Sequence, residues 1–492
     1  MRFTIATFLT LSLGPLALAD FNIDLYTSTD CTGDKIGTWT GPEGDGPDTS
    51  GDYEWTGHLG SVNINHLGQW NTQLNTNVHC LATSITCCQY APDCRDGVNL
   101  PSSGCYKVDE DITGLGMTFT VCDTSTVISR VVTYPFRSIR AATLKKDVLN
   151  AAIRSLLTHI TVAQSRYLNP STTSRYLSFC KSQAKTPSSL SVAYNSKEKG
   201  KGEACAHWIG NPEADAVILY FHGGAFFQPA TAGTFLYLQD LVQKVGKEKG
   251  KSVAALVVAY SLAPEATFPT QLREGAAVLK YLLTPSDPES KRREAGHVYL
   301  SGDSAGGNIA LALVSHLLHP HPEVEEIKLK APLGGVLLYS PSVSHSLDWD
   351  SMSRNAERDM LPACKVPVWA AVYIGKTDSL QTSTVGLRLE TDAYSEPCVA
   401  DASWWMDLHK LVGSVLVLSG GEEIFADPAR ELRRKMEEGW REGEGESCAV
   451  MFVETPGETH IGPIVDFMMS GGRGDSSSQK VVAEWWAARL EN

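Results

Sequence analysis

Residues 300–308 read LSGDSAGGN, and this stretch decides the fold. An apolar strand, Val298–Leu300, runs directly into the G-x-S-x-G pattern around Ser304, and a helical stretch, Asn308–Leu318, runs directly out of it. Small residues on both sides let the backbone turn sharply and hold the serine hydroxyl exposed. The context predicts that Ser304 is a nucleophile, and an ordinary strand-to-helix turn with a serine N-cap is the alternative.

Strands and helices alternate on both sides of that turn. The apolar strand runs are 216–221, 254–259, 298–300, 335–339, 414–418 and 449–453. The helical stretches lie at about 268–284, 306–318, 428–439 and 477–490. Alternation with near-continuous apolar strands predicts an α/β fold whose mostly parallel sheet is covered on both faces. Functional residues are then expected just past the carboxyl ends of the strands.

A glycine turn follows another apolar strand upstream of Ser304, where residues 220–226 read YFHGGAF. Two glycines after a strand allow backbone N–H groups to point into a pocket and hold a developing oxyanion. The predicted donors are the N–H groups of Gly223 and Gly224, together with that of Ala305 beside the nucleophile. His222 is expected to brace the loop, and a simple glycine turn over a core histidine is the alternative.

Three motifs in this order resemble one known family. HGGAF at 222–226, YSLAPEATFP at 260–269 and GDSAGG at 302–307 resemble the hormone-sensitive-lipase-like branch of the α/β-hydrolases, the fold-3 group of esterases and lipases. The resemblance covers roughly residues 130–490, and this part of the chain looks most like fungal members related to steryl acetyl hydrolases. It implies an α/β-hydrolase fold with a helical cap and no metal or organic cofactor. Ala225 stands where the family usually has a third glycine, and we expect it to alter the acyl pocket rather than abolish activity.

A serine nucleophile needs a histidine within hydrogen-bond reach to take its proton. In this fold the chain order is serine, acid, histidine, so the base must follow Ser304. The histidines after Ser304 are His316, His319, His321, His345, His409 and His460. His460 follows the last strand on a polar, glycine-containing loop, where this fold places its base, and the resemblance selects the same residue. The alternative for His460 is a surface loop histidine without a catalytic role.

Three carboxylates compete for the role of the acid in residues 419–430, which read SGGEEIFADPAR. Asp427 precedes Pro428, and this order predicts that Asp427 is a helix N-cap. The family pattern places its acid four residues before such an aspartate, which selects Glu423. Glu422 is the second candidate. Glutamate at this position departs from the aspartate that many relatives use.

The segment from Pro341 to about Val412 is too long for a simple connection and contains four tryptophans, Trp349, Trp369, Trp404 and Trp405. In the family, an insertion here joins N-terminal helices, at about 140–180 in this chain, to form a cap over the active site. The tryptophans can form the core of that cap or contact the acyl group. An apolar pocket beneath a cap favours an uncharged and fairly hydrophobic ester.

The first 125 residues are built differently. Residues 1–19 combine Arg2, an apolar run and Ala17-Leu18-Ala19, the layout of a cleavable secretory signal. Residues 20–123 contain 15 acidic and three basic side chains, which argues against nucleic acid or anionic membrane as a partner. Seven cysteines precede residue 125, and their density favours a disulfide framework over the competing zinc site. They are Cys31, Cys80, Cys87, Cys88, Cys94, Cys105 and Cys122.

These observations divide the chain into a signal peptide (1–19), an acidic, cysteine-rich β-rich module (20–125), a linker (126–135) and an α/β-hydrolase domain (136–492). They predict a serine carboxylic-ester hydrolase that cleaves acetyl or short-to-medium acyl esters with Ser304, Glu423 and His460. Amide, lactone or thioester cleavage, or a ligand-binding protein without catalysis, are the alternatives. The resemblance also allows a lipid or sterol ester at a membrane surface as substrate, and the ligand of the module is open. The signal predicts secretion; if two genes are merged in this chain, the hydrolase is instead expected inside the cell or at the endoplasmic reticulum.

Overall fold

The computed structural model describes residues 22–26, 35–40, 61–65, 104–107, 130–196, 200–288, 290–384, 387–445, 449–472 and 476–490. The chain divides into two compact units, one built mainly from residues up to 125 and the other from residue 126 onward. The predicted signal peptide, six of the seven N-terminal cysteines and the start of the predicted linker lie outside the described residues. The disulfide framework and the boundaries of the module therefore stay predictions.

The first unit contains four short strands in the part that is described. They are β1 (Asn22–Tyr26), β2 (Lys35–Thr40), β3 (Ser61–Asn65) and β4 (Gly104–Lys107). They pair antiparallel in the order β2-β1-β3-β4, with Ile23 opposite Trp39 on one side and Ile64 on the other. Short strands of alternating character are typical of such sheets.

The second unit is organised around an eight-stranded sheet. Its strands are β5 (Ser189–Ser196), β6 (Gly200–Ile209), β7 (Ala216–Phe221), β8 (Val253–Val258), β9 (Val298–Asp303), β10 (Gly335–Tyr339), β11 (Val415–Gly420) and β12 (Val450–Thr455). The order across the sheet is β12-β11-β10-β9-β7-β8-β6-β5. All neighbours from β12 to β8 pair parallel, while β6 pairs antiparallel with both β8 and β5. The predicted α/β-hydrolase fold with a mostly parallel sheet is confirmed.

α-Helices pack on both faces of this sheet, and further helices lie in the two segments that are predicted to form the cap. In chain order they are α1 (Leu144–His159), α2 (Val162–Leu168), α3 (Thr172–Ser182), α4 (Ala232–Lys249), α5 (Thr270–Leu283), α6 (Ala305–Leu318), α7 (Asp350–Arg354), α8 (Val366–Tyr373), α9 (Leu408–Leu411), α10 (Ala426–Glu442), α11 (Gly462–Met469) and α12 (Ser477–Arg489). Within the described residues no helix is both long and apolar enough to span a bilayer.

Two hydrophobic clusters lie on opposite faces of the sheet because successive side chains of a strand point to opposite sides. On β7, Leu219 belongs to the cluster that includes α5, α6 and α10, whereas Ile218 belongs to the cluster that includes α3, α4 and α12. All six residues of β7 are buried, which explains the continuous apolar run in its sequence. The sheet is therefore packed on both faces, and the loops that follow the carboxyl ends of its strands are anchored to this core.

The two segments predicted to form a cap contact each other. The Nδ2 of Asn150 on α1 donates to the carbonyl oxygen of Arg358 at 2.8 Å, and Gln381 Nε2 donates to the carbonyl oxygen of Ile160 at 3.1 Å. The tryptophans of the insertion lie in separate surroundings: Trp369 faces Phe227, whereas Trp404 packs on His319. That the two segments cover a substrate pocket stays a prediction.

Candidate active site

Ser304 lies on a sharp turn between β9 and α6. Its backbone has φ 53° and ψ −120°, a conformation that L residues rarely adopt. The turn packs closely against the end of β7, and this is possible because Gly306 has no side chain. A Cβ at Gly306 would lie 2.0 Å from the carbonyl oxygen of Phe221. The Ser304 N–H donates to the carbonyl oxygen of Tyr339 at 2.9 Å and ties the turn to β10. This geometry fits a serine that is held for nucleophilic attack.

His460 and Glu423 complete a chain of hydrogen bonds that starts at Ser304. The Ser304 hydroxyl lies 2.7 Å from His460 Nε2, and His460 Nδ1 lies 3.0 Å from Glu423 Oε2. The other oxygen of Glu423 accepts from the Ser419 hydroxyl and from the Gly420 N–H. All three side chains are at most 9% exposed. Since Glu423 only accepts, Nδ1 of His460 carries the proton and Nε2 is free to accept one from Ser304.

The charges around His460 favour its protonated form. Burial lowers the pKa of His460, but the hydrogen bond to Glu423 and the negative charges of Glu423, Asp359 and Asp303 outweigh it, so the pKa is raised above its ordinary value. A raised pKa makes His460 a stronger base toward the Ser304 hydroxyl.

The competing carboxylates near Glu423 take other roles. Glu422 is half-buried, with one carboxylate oxygen that has no hydrogen-bond partner among the described residues, and does not contact His460. The prediction that Asp427 is a helix N-cap is wrong, because α10 begins at Ala426 with Phe425 as its N-cap. Asp427 lies in the first turn, where its carboxylate accepts from the Ser351 N–H at 2.8 Å.

The loop predicted to form the oxyanion hole is present, but one of its donors is already used. The Gly223 N–H donates to Asp303 Oδ1 at 2.9 Å, so the prediction of Gly223 as an oxyanion donor is corrected. The N–H groups of Gly224, Ala225 and Ala305 make no hydrogen bond within the part of the chain that is described. The sequence analysis places Ala225 outside the two loop donors and expects it to alter the acyl pocket, whereas the path of the backbone leaves its N–H available.

Asp303 holds the glycine loop against the nucleophile turn. Its Oδ1 accepts from Gly223 and also from the Tyr220 hydroxyl at 2.6 Å. Burial raises the pKa of Asp303, although both hydrogen bonds and the charge of His460 oppose this. A Cβ at Gly223 would lie 2.3 Å from Asp303 Oδ2, so only glycine fits there. The position of Asp303 directly before Ser304 was the sequence signal for this role.

His222 braces the same loop, as predicted from the sequence. Its ring is fully buried, with Nδ1 donating to the carbonyl oxygen of Gly223 at 2.8 Å and Nε2 lying 3.1 Å from the Thr172 hydroxyl. Burial lowers the pKa of His222 to about 4, against the opposing hydrogen bond to Gly223, so the ring is neutral at physiological pH. Its tautomer is set by the carbonyl, which only accepts.

The remaining histidine candidates do not contact Ser304 and have other partners. His316 contacts the carbonyl oxygen of Glu325, His319 that of Trp404, and His345 that of Ser395. His409 Nδ1 contacts the carbonyl oxygen of Met406. His460 is therefore the histidine that the structure brings to Ser304.

A serine, a histidine and an acid at the carboxyl ends of β9, β12 and β11 form the arrangement of a serine hydrolase of the α/β-hydrolase class. Residues 218–461, just under half of the chain, match the model of a family described as alpha/beta hydrolase fold. The site residues all fall within the matched range.

Known relatives are similar to this chain over part of their length. Arylacetamide deacetylase of Bos taurus is 33% identical over 157 residues, which are 32% of this chain and 37% of that protein. Steryl acetyl hydrolase 1 of Saccharomyces cerevisiae is 23% identical over 264 residues, 52% of this chain and 56% of that protein. The chain thus spans less than two thirds of either relative.

Among solved structures, an esterase from the bacterial hormone-sensitive lipase family aligns with 71% of this chain and 99% of its own, at 20% identity and a TM-score of 0.48.

Proposed function

We propose that this protein is a serine carboxylic-ester hydrolase with Ser304 as nucleophile, His460 as base and Glu423 as the acid that orients His460. The observation that carries the proposal is the unbroken chain of hydrogen bonds from Ser304 Oγ through the His460 ring to Glu423, with distances of 2.7 and 3.0 Å. These lengths are within the range of productive proton transfer. The match of residues 218–461 to the model of the alpha/beta hydrolase fold family supports it.

The reaction proceeds through an acyl-enzyme. Ser304 Oγ attacks the ester carbonyl carbon while its proton moves to His460 Nε2, and Glu423 stabilises the imidazolium that forms. The oxyanion accepts hydrogen bonds from the N–H groups of Gly224 and Ala305, as predicted from the sequence, and from that of Ala225, which takes the place of Gly223. The imidazolium then gives its proton to the leaving alcohol. Water attacks the acyl-enzyme by the same route, releasing the acid and restoring Ser304.

The substrate we propose is an uncharged, fairly hydrophobic ester with an acetyl or short-to-medium acyl group. Aromatic rings follow the oxyanion loop directly: Phe226 stacks on Tyr373 at 3.8 Å between ring centroids, and Phe227 faces Trp369. These buried rings make the surroundings of the oxyanion loop apolar, which favours an uncharged ester over a charged one. Two of the relatives are named as a deacetylase and a steryl acetyl hydrolase, which supports an acetyl or sterol ester.

We also propose that the protein is secreted, and the support for this is the layout of residues 1–19, which is that of a cleavable secretory signal.

The test is hydrolysis of p-nitrophenyl esters of increasing chain length by the full chain and by Ser304→Ala. We expect the wild type to turn over the short esters and Ser304→Ala to lose at least about 1,000-fold in kcat, since the nucleophile is removed. Labelling of Ser304 by a fluorophosphonate, read by mass spectrometry, identifies the acylated residue. Equal turnover by both proteins would refute the serine mechanism.

A further inference from the structure

Asp359 is a fully buried carboxylate in the long insertion, five residues beyond the end of α7. Its oxygens accept from backbone N–H groups on two other loops. Oδ1 accepts from the N–H of His460 at 3.2 Å and from its own neighbour Met360 at 2.7 Å. Oδ2 accepts from the N–H of Ile424 at 2.7 Å. The side chain thus joins loops that are more than 30 residues apart in sequence.

Both of the distant donors belong to the triad loops. The first is the backbone of His460 itself, and the second is the residue directly after Glu423. Because the ring of His460 and the carboxylate of Glu423 must stay 3.0 Å apart, the two loops have to be held at a fixed separation. We propose that Asp359 is a positioning residue that clamps the loop of the base to the loop of the acid. This inference rests on the proposed function of the triad.

The clamp is itself anchored from the N-terminal side. The Arg154 guanidinium on α1 donates to the carbonyl oxygen of Asp359, and Asn150 donates to that of Arg358. From the same insertion, Asn355 Nδ2 donates to the carbonyl oxygen of Glu423 at 2.8 Å. Contacts with α1 and within the insertion therefore hold Asp359 in position independently of its contacts with the triad loops.

The donor set requires a carboxylate at this position. Three N–H groups point at the side chain, and both oxygens of a carboxylate accept, so every donor is satisfied. An asparagine of the same shape keeps one acceptor oxygen and turns an NH2 group toward a backbone N–H. One loop then loses its partner, and an unpaired buried donor is costly.

The charge of Asp359 reaches the base as well. The charged groups facing Asp359 are His460, Glu423 and Arg154. Burial raises the pKa of Asp359 to about 6, although His460 and the hydrogen bonds from Ile424 and His460 oppose this, so the carboxyl is mostly ionised above that pH. Its negative charge is one of those, with Glu423 and Asp303, that raise the pKa of His460.

The experiment compares the full-length wild type with Asp359→Asn, using p-nitrophenyl acetate. We expect kcat to fall about 10- to 100-fold with KM within about twofold, because the substrate contacts remain while the triad geometry loosens. We also expect the acid limb of kcat/KM to move to lower pH, because a negative charge near His460 is gone. If Asp359 only stabilised the fold, the variant would contain less folded protein, which thermal unfolding measures. In that case kcat per folded molecule, KM and the pH of the acid limb would all equal those of the wild type.

Asp147→Asn is the matched control, because Asp147 is also a buried carboxylate that accepts from a backbone N–H, that of Ala141 at 3.0 Å. Its ion-pair partner is Arg130, so neither of these contacts involves a triad loop. We expect it to keep the wild-type kcat and pH profile. Equal kcat for Asp359→Asn and wild type, or an equal loss in Asp147→Asn, overturns the inference. If Asp359→Asn does not fold, Arg154→Met serves as the second variant, because it releases the carbonyl of Asp359 together with a 3.8 Å ion pair to Glu357. It must still lower kcat without raising KM, and unchanged kcat overturns the inference. A wild type without esterase activity, by contrast, refutes the proposed function itself.

Discussion

Glu422 and Glu423 are adjacent in sequence, but only Glu423 contacts His460. We expect Glu423→Gln to lower kcat roughly 100- to 10,000-fold, because an amide can present its NH2 group to Nδ1 and stabilise the wrong tautomer. Glu422→Gln is the control from the same turn, and we expect its kcat within about threefold of wild type. Steady-state kinetics on p-nitrophenyl acetate measures both. A larger loss in Glu422→Gln would exchange the roles of the two residues.

The pH dependence follows from the protonation state of His460. The base must be neutral to accept a proton, so kcat/KM rises as the pH passes upward through its pKa, which is raised above the ordinary value. Glu423→Gln removes the partner that raises it, so the acid limb is expected to move to lower pH even though the rate falls. The measurement is kcat/KM from pH 5 to 9 for both proteins. An acid limb at the same pH in both would mean that another group titrates.

Ala225 has φ 51°, in the left-handed region that glycine adopts readily. An L residue there costs roughly 1–2 kcal/mol, whereas glycine gives the unfolded chain more conformational entropy, which lowers the stability of the fold by about 0.4–1 kcal/mol. We expect Ala225→Gly to raise the free energy of unfolding slightly, by up to about 1 kcal/mol, and to keep kcat because the N–H remains. Urea unfolding and ester hydrolysis measure the two effects. A clear loss of stability would show that the methyl group packs against a neighbour.

Among the elements, α5 carries a buried carboxyl whose titration is coupled to folding. Glu274 accepts from the N–H of Ser261 at 2.7 Å and from its hydroxyl at 2.6 Å, which ties α5 to the loop after β8. Burial raises the pKa of Glu274 to about 7, although the hydrogen bonds from Ser261 oppose this. The folded state therefore binds the proton more tightly than the unfolded chain does.

The sign of the effect follows from that difference. The stability contributed by Glu274 is present below the unfolded pKa of about 4.3 and is lost as the pH rises to about 7. Glu274→Gln has no such titration, so its stability relative to wild type is expected to improve between pH 5 and pH 8, by up to about 3 kcal/mol. Urea unfolding at the two pH values measures it. A difference that does not change with pH would contradict the raised pKa.

The elements also show what the sequence could and could not predict. β7 and β8 are buried on both faces, so their continuous apolar runs identified them. β5 and β6 lie at the antiparallel edge of the sheet and mix polar with apolar residues, which left them without a clear period. The Asp427-Pro428 pair suggested a helix start, but α10 begins earlier because Ser351 and Arg354 bind the Asp427 carboxylate from outside the helix.

At the scale of the whole molecule, the site depends on the strand order more than on any local motif. Ser304, Glu423 and His460 follow β9, β11 and β12, and β10 and β11 bring these strand ends together at one edge. The motifs and the fold's chain order selected Ser304 and His460, and the resemblance to the family was needed to choose Glu423 over Glu422. The role of Asp359 was not predictable, because it comes from a backbone contact between an insertion and two loops that no sequence pattern encodes.

The site residues that the structure describes lie in the second unit. Among the described residues, the hydrogen-bond chain and both hydrophobic clusters lie between residues 176 and 490, and Arg130 donates to Glu357 of the insertion at 2.7 Å. We therefore expect residues 130–492 to keep the kcat and the unfolding midpoint of the full chain. Ser304→Ala in both lengths provides the background rate. A truncated protein that folds but loses turnover would assign residues 1–129 a part in the reaction, and one that melts earlier would assign them a part in stability.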